Sequence, residues 1–198
     1  MSQKENRMNL VDLQKKIESY EPYNEQEERD KQTMLKDIHT FDNILTRDNE
    51  LVHFTASSWA VNQEKTKVLM VYHNIYQAWT WTGGHSDGEA DLLKVAVREL
   101  KEETGVKHVK VLNDNHIFSL EVLTVDGHVK RGKYVSSHLH LNVTYLLEVE
   151  EQEMLHIKQD ENSGVKWVPI EEIEKVSTET WMKQNIYPKL NEKLYHLR

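Results

Sequence analysis

Gly83-Gly84-His85-Ser86-Asp87-Gly88-Glu89, followed by Arg98-Glu99-Leu100-Lys101-Glu102-Glu103-Thr104-Gly105-Val106, is the stretch on which the reading of this chain turns. Helix formers run up to Thr104, and Gly105 stands where the residue after a helix is expected. The pattern predicts a helix over Ala90–Thr104. Glu99 and Glu103 lie four residues apart and Glu99 and Glu102 three, so the three carboxylates share one side. Like charges at this spacing repel by roughly 0.2–0.5 kcal/mol per pair. The C-terminal end of the helix dipole disfavours them further. A hard divalent cation with oxygen ligands, such as Mg²⁺, offsets both. Leu93, Ala96, Val97 and Leu100 recur at helical steps and are expected to bury against a sheet. Three glutamates alone would equally suit a solvated helix face, so the flanking sequence has to decide.

Upstream, Leu51–Val61, Lys67–His73 and Gln77–Thr82 read as strands, rich in β-branched and aromatic residues. Downstream, Val109–Leu112, Ile117–Val125, His138–Val149 and Val165–Val168 read the same way. Pro169 suits the first turn of a short helix through Glu174. A last helix is expected over Trp181–Leu197, broken or kinked at Pro188. Before Leu51 the chain is helical: Leu10, Leu13 and Ile17 share a face. Beyond Pro22, Asn24 is placed to cap a second helix carrying Met34, Ile38, Phe41 and Leu45. Packing on the main domain is the expected use of these two helices. A homodimer contact and a lid are the alternatives. The expected division is an N-terminal helical extension over residues 1–48 and one domain over 49–198 that includes the C-terminal helix.

The chain has 198 residues, room for one domain and an added segment. Acidic residues outnumber basic ones, 33 to 25, for a formal charge of −8, which disfavours non-specific binding to a nucleic acid polymer. There is no cysteine, which removes disulfides, thiolate metal sites and cysteine nucleophiles. Met1 to Tyr20 is charged and lacks the apolar core of a secretory signal. No long uncharged apolar run suggests a membrane span. A cytoplasmic location is therefore the expectation.

The central stretch resembles the Nudix box, G-x5-E-x7-R-E-U-x-E-E-x-G-U, with U an aliphatic residue. Aligned without gaps on Arg98–Val106, the first glycine falls on Gly84 and every fixed position matches except one: Ala90 stands at the first glutamate. Started at Gly83, the pattern places that glutamate on Glu89 and needs one more residue before Arg98. The resemblance extends from about Leu51 to Glu174, through the Trp-containing strand before Gly-Gly-His and the late strand with Trp167 and Pro169. It implies an α/β fold, a Nudix-like α/β/α sandwich around a mixed sheet, with the N-terminal helices as an extension. It also implies Mg²⁺-dependent hydrolysis of a diphosphate bond in a small nucleoside diphosphate derivative, with Mn²⁺ as the alternative ion. By this resemblance Glu99, Glu102 and Glu103 are metal ligands. Arg98 orients the carboxylates, and Glu102, Glu103 and Glu161 are the candidates for the chemistry. Glu161, in Gln159-Asp160-Glu161-Asn162, stands where some members carry a loop base.

His138, His140 and Asn142 alternate with Leu139, Leu141 and Val143 and share one strand face. Gly84, His85, His138 and His140 are the candidates for substrate binding. A two-histidine metal site is a further reading of His138 and His140, without a third ligand at local spacing. Trp79 and Trp81 suit core packing, or stacking of one on a nucleobase. Lys130, Arg131 and Lys133 form a basic hairpin tip, either solvated or reaching a phosphate. The strand His53-Phe54-Thr55-Ala56-Ser57-Ser58-Trp59 looks somewhat like that of isopentenyl-diphosphate isomerases. The best-known form of those enzymes uses a cysteine, which this chain lacks. A non-catalytic nucleotide sensor or interaction protein on the same fold is the other reading kept open.

Overall fold

Local sequence signals set most of the elements in this computed structural model, which describes residues 3–130 and 132–197, with side chains from Leu10 onward. Helix α1 spans Gln3–Ser19 and α2 spans Glu25–Thr40. Asn24 caps α2 as expected, its side chain accepting the Glu27 N–H at 3.0 Å. The chain leaves the helix at Phe41, whose backbone is extended. Phe41 and Leu45 therefore fall outside the helical stripe, and Ile44 and Leu45 bury from the turn that follows. Strand β1 is Val52–Val61, β2 Lys67–His73, β3 Ala78–Thr80 and β4 Thr82–His85. Helix α3 covers Leu92–Thr104. Then come β5 (Lys110–Val111), β6 (Ser119–Val125), β7 (His128–Lys130), β8 (Lys133–Val135), β9 (His138–Glu148) and β10 (Asn162–Pro169). Helices α4 (Ile173–Val176) and α5 (Tyr187–His196) close the chain. No helix among the described residues is long and apolar enough to cross a membrane.

Two compact units interleave along the sequence. One comprises Met1–Ala56, Gly84–Val95 and His116–Thr144; the other comprises Ser57–Gly83, Ala96–Asn115 and Tyr145–Arg198. Strands β1 and β9 and helix α3 run through both. In the first unit β6 pairs antiparallel with β9, Leu120 opposite Val143 and Val122 opposite Leu141. The Leu139 N–H donates to the Leu51 carbonyl at 2.9 Å. Helix α2 lies along β6: Gln26 Nε2 donates to the Leu120 carbonyl at 3.0 Å, and the Asp30 carboxylate accepts the Val122 N–H at 2.8 Å. Under it sits a buried polar network. Glu27 accepts from the Tyr20 hydroxyl, the Tyr23 N–H and Ser119 Oγ, while Glu121 accepts from Asn142 and Thr144. Asn142 is thus inside the fold rather than on an open strand face. Hairpin β7–β8 carries the expected basic segment, of which Arg131 lies outside the described residues.

In the second unit β2 pairs antiparallel with β3 on one register and with β10 on another, and the end of β1 places Val61 opposite Val68. β5 flanks the end of β9, and the Val149 N–H donates to the Val61 carbonyl at 2.9 Å. Partners on β1 and β9 advance in the same direction, so those two strands run parallel among antiparallel neighbours. The sheet is therefore mixed, as expected for this α/β class. Tyr187 stacks on Trp59 at 5.3 Å and meets Trp81 edge-on at 5.9 Å, so Trp81 is core. Trp79 packs edge-on against Tyr72, with Lys166 Nζ 4.1 Å from the ring centroid. Pro169 ends β10 and precedes a 3-10 turn, Ile170–Glu172, before α4. The expected single last helix is a π-helical turn, Met182–Ile186, followed by α5. Pro188 sits in the first turn of α5, where a missing N–H is tolerated.

Gly105 ends α3 at φ +79, and its N–H donates to the Lys101 carbonyl at 2.9 Å. A Cβ there would stand 2.9 Å from His156 Cβ. Gly105→Ala therefore combines left-handed strain with a clash. It is expected to lower unfolding free energy by about 1–3 kcal/mol, read from chemical denaturation.

Candidate functional site

Helix α3 starts at Leu92, two residues later than the pattern suggested. Glu89 receives the Asp91 N–H at 3.1 Å and Lys94 Nζ at 2.6 Å, so it tethers the helix entry. Asp91, immediately before the helix, stands 4.0 Å from Lys16. Ala90 is buried. The buried face of α3 is Leu92, Val95, Ala96 and Leu100. Leu93 and Val97, expected in the core, are only half-buried. Gly83, Gly84 and His85 belong to β4, and the segment after it is a turn. Ser86 anchors this turn, its hydroxyl meeting the Leu45 and Phe54 carbonyls at 2.6 and 3.0 Å. Arg47 holds Asp87 through two contacts of 2.8 Å.

The second unit contains a carboxylate group on α3 and the loop before β10. Carboxylate oxygens of Glu99, Glu103 and Glu161 lie within 4.8 Å of one another. Glu103 is only 5 % exposed, and its Oε2 is buried with no hydrogen-bond partner. Burial first, and then the charges of Glu99 and Glu161, push its pKa well above the usual carboxylate range. The Gly83 backbone and Lys158 oppose that rise. Burial likewise raises Glu99, against the pull of Arg98, whose Nη2 donates to Glu99 Oε1 at 2.7 Å. Glu102 stands outside this trio. Its side chain is 46 % exposed and its Oε2 accepts from Lys158 Nζ at 3.0 Å. Arg98 Nε is 4.0 Å from its other oxygen. Lys158 also reaches Glu161 at 3.0 Å. Its pKa lies above the usual ammonium value because these two carboxylates outweigh the opposing effect of burial. Asn162, buried, donates to the Glu103 carbonyl at 2.9 Å and accepts the Lys158 N–H at 3.2 Å, tying the loop to the last turn of α3.

Neither Lys158 nor Asn162 stood out in the sequence, because their importance comes from the loop's approach to α3. The donor set consists of hard oxygens, one of them buried and unpartnered. Such a set fits a cation like Mg²⁺ or Mn²⁺, which prefers oxygen ligands.

The first unit contains a histidine group. His85 and His140 meet at ring centroids 5.0 Å apart, as do His138 and His140. His53, read in the sequence only as part of a strand, lies among them: 5.2 Å from His85 and 5.0 Å from both His138 and His140. Burial first, then Arg47 and neighbouring groups, lowers the pKa of His85 to about 3; burial first, then the surrounding histidines, lowers that of His140 to about 2. Burial also lowers His53. These rings are neutral near pH 7. Gly84 stands beside His85 in β4.

The family model for the NUDIX domain matches residues 52–190. Among solved structures, an Ap4A hydrolase of C. elegans in a binary complex is 19% identical, with 73% of this chain and 96% of that chain covered and a TM-score of 0.52. A NUDIX family hydrolase from Clostridium perfringens is 22% identical over 74% of this chain and 98% of its own, with a TM-score of 0.51. The E. coli dihydroneopterin triphosphate pyrophosphohydrolase is 14% identical over 69% and 92%, with a TM-score of 0.51. At these identities the likeness is one of fold. No curated protein matches the chain.

Proposed function

This Nudix-type hydrolase belongs to the NUDIX domain family, and from that premise we propose that it cleaves a diphosphate bond in a nucleoside diphosphate derivative with Mg²⁺ as cofactor. One observation carries the reading: Glu99, Glu103 and Glu161 bring carboxylate oxygens within 4.8 Å of one another. Such a cluster costs free energy unless a cation or proton offsets it. Glu99 and Glu103 are the residues to hold Mg²⁺, with Glu161 next to them and Glu102 beside them through Lys158. When bound, the cation neutralises the negative charge of the diphosphate.

The chain's own groups supply the rest. Arg98 fixes the Glu99 carboxylate by a charge-assisted hydrogen bond. Lys158 holds Glu102 and Glu161 in place. Glu161, on a loop and partly exposed, is the carboxylate to take a proton from an attacking water. That water's oxygen forms the new bond to phosphorus as the bridging P–O bond breaks, leaving two phosphorylated products. Gly84 and the His85, His138 and His140 group are the proposed contacts to the substrate.

The test is a panel of ADP-ribose, nucleoside triphosphates, dinucleoside polyphosphates and nucleotide sugars, with products identified with and without Mg²⁺. Mg²⁺-dependent release of phosphorylated product from one class is expected. Binding of a nucleotide with no product from any class assigns the sensor reading instead.

A further inference from the structure

The histidine group has its own chemistry, independent of the carboxylates. His53 Nδ1 lies 2.9 Å from the Asn49 carbonyl. A carbonyl only accepts, so Nδ1 carries the proton and Nε2 keeps its lone pair. That Nε2 is buried and has no hydrogen-bond partner, in a residue 4 % exposed. His138 Nδ1 likewise donates to the Ser136 carbonyl at 2.8 Å. His140 Nε2 stands 3.1 Å from His138 Nε2, so one of these nitrogens donates to the other, and the neutral His140 ring keeps one lone pair. Metal-binding histidines are commonly set this way: one nitrogen is held by a carbonyl or other acceptor and the other faces the ion. Ligand atoms of His53, His85 and His140 all lie within 4.8 Å of one another.

We infer that His53, His85 and His140 form a binding site for a divalent transition-metal ion of the Zn²⁺ class, with His138 orienting His140. Tetrahedral Zn²⁺ with nitrogen ligands at about 2.0–2.1 Å needs neighbouring ligands about 3.4 Å apart, which modest side-chain rotation from this arrangement reaches. Neutral imidazoles suit Zn²⁺ and its first-row neighbours, whereas Mg²⁺ prefers oxygen. The ligands come from three strands: β1, the end of β4 and β9. The Ser86 anchor after His85 and the Ile44–Phe54 backbone bond beside His53 fix two of them before any ion arrives. Arg47 and Lys130 are nearby cations that oppose a metal, and the two contacts of Arg47 to Asp87 offset its charge. Three protein nitrogens leave a coordination position open, as in sites that bind a further ligand.

The test is a Co²⁺ titration of the full-length, metal-free protein at neutral pH with Mg²⁺ in excess. Stoichiometric binding is expected, with the visible absorption of low-coordinate Co²⁺, displaced by Zn²⁺. His53→Gln, His85→Gln and His140→Gln should each weaken it at least ~10-fold, since even loss of a group that supports a ligand costs ~10–100-fold. Glu103→Gln should leave the Co²⁺ spectrum and affinity unchanged. In case the histidine variants do not fold, X-ray absorption of the unaltered Zn²⁺-loaded protein is expected to count three or more imidazoles. A six-coordinate oxygen spectrum, parental affinity in the folded histidine variants, loss of binding in Glu103→Gln, or fewer than three imidazoles would overturn the site.

Discussion

Glu103→Gln is expected to lower turnover at limiting Mg²⁺ by ~10²-fold or more while raising the melting temperature of the metal-free protein at alkaline pH. The first effect follows from losing a charged ligand in the most buried position of the carboxylate group, where the amide keeps the shape but not the charge. The second follows from linkage. Burial and two neighbouring carboxylates raise the Glu103 pKa in the folded protein well above its ordinary value of 4.5. Between the unfolded and the folded pKa, the folded state therefore binds more protons than the unfolded state. The parent loses stability as pH rises through that window, and the loss levels off above the folded pKa. Glutamine does not ionise, so the variant escapes it. The gap in melting temperature should be small near the unfolded pKa and widen with pH. Saturating Mg²⁺ should reverse the order, because only the parent gains the charge it lacks. Thermal melts across pH, with and without Mg²⁺, read both parts. Equal responses to Mg²⁺ in parent and variant would remove Glu103 from the cation site.

Glu27→Ala should unfold the protein more readily than any other change considered, by about 3 kcal/mol or more. On the usual scaling for a chain of this length, that is a fall in melting temperature of roughly 6–12 °C. Glu27 is 0 % exposed and accepts from the Tyr20 hydroxyl, the Tyr23 N–H at 2.8 Å and Ser119 Oγ at 2.7 Å. Burial first, and then the neighbouring Glu27 charge, holds the Tyr20 pKa far above its ordinary value, so that hydroxyl is always a donor. Alanine takes the acceptor from these buried groups and leaves a cavity besides. Glu27→Gln keeps one acceptor oxygen and should lose clearly less. An unchanged melting temperature in Glu27→Ala would show that the network does not stabilise the fold.

The parts of the site that depend on one helix were legible in the sequence. The three- and four-residue steps of Glu99, Glu102 and Glu103 fix their common side wherever α3 sits. Gly105 marks the end of that helix because only a residue tolerant of positive φ fits there. Asn24 marks the start of α2 for an equally local reason, its side chain capping the first turn. Phe41 and Leu45 misled because helical periodicity continues in the sequence past the point where the backbone turns extended. Leu93 and Val97 misled because apolar side chains can sit half-buried at the edge of a helix face.

Pairings across long sequence separations were beyond the sequence alone. Sequence spacing made Glu99 and Glu103 the best-paired carboxylates, with Glu102 as a third ligand. Lys158, brought in by the loop before β10, draws Glu102 aside, and Glu161 from the same loop takes the place beside Glu99 and Glu103. His138 and His140 showed their common face through strand alternation. That His53 on β1 and His85 on β4 would join them depends on which strands pair and on what register, and no local propensity encodes that. The sequence by itself determined the elements, the box helix and the family, because these rest on periodicity and on residues close in the chain. The tertiary structure decided which carboxylates and which imidazoles come together, because those contacts follow from strand pairing and from the approach of distant loops.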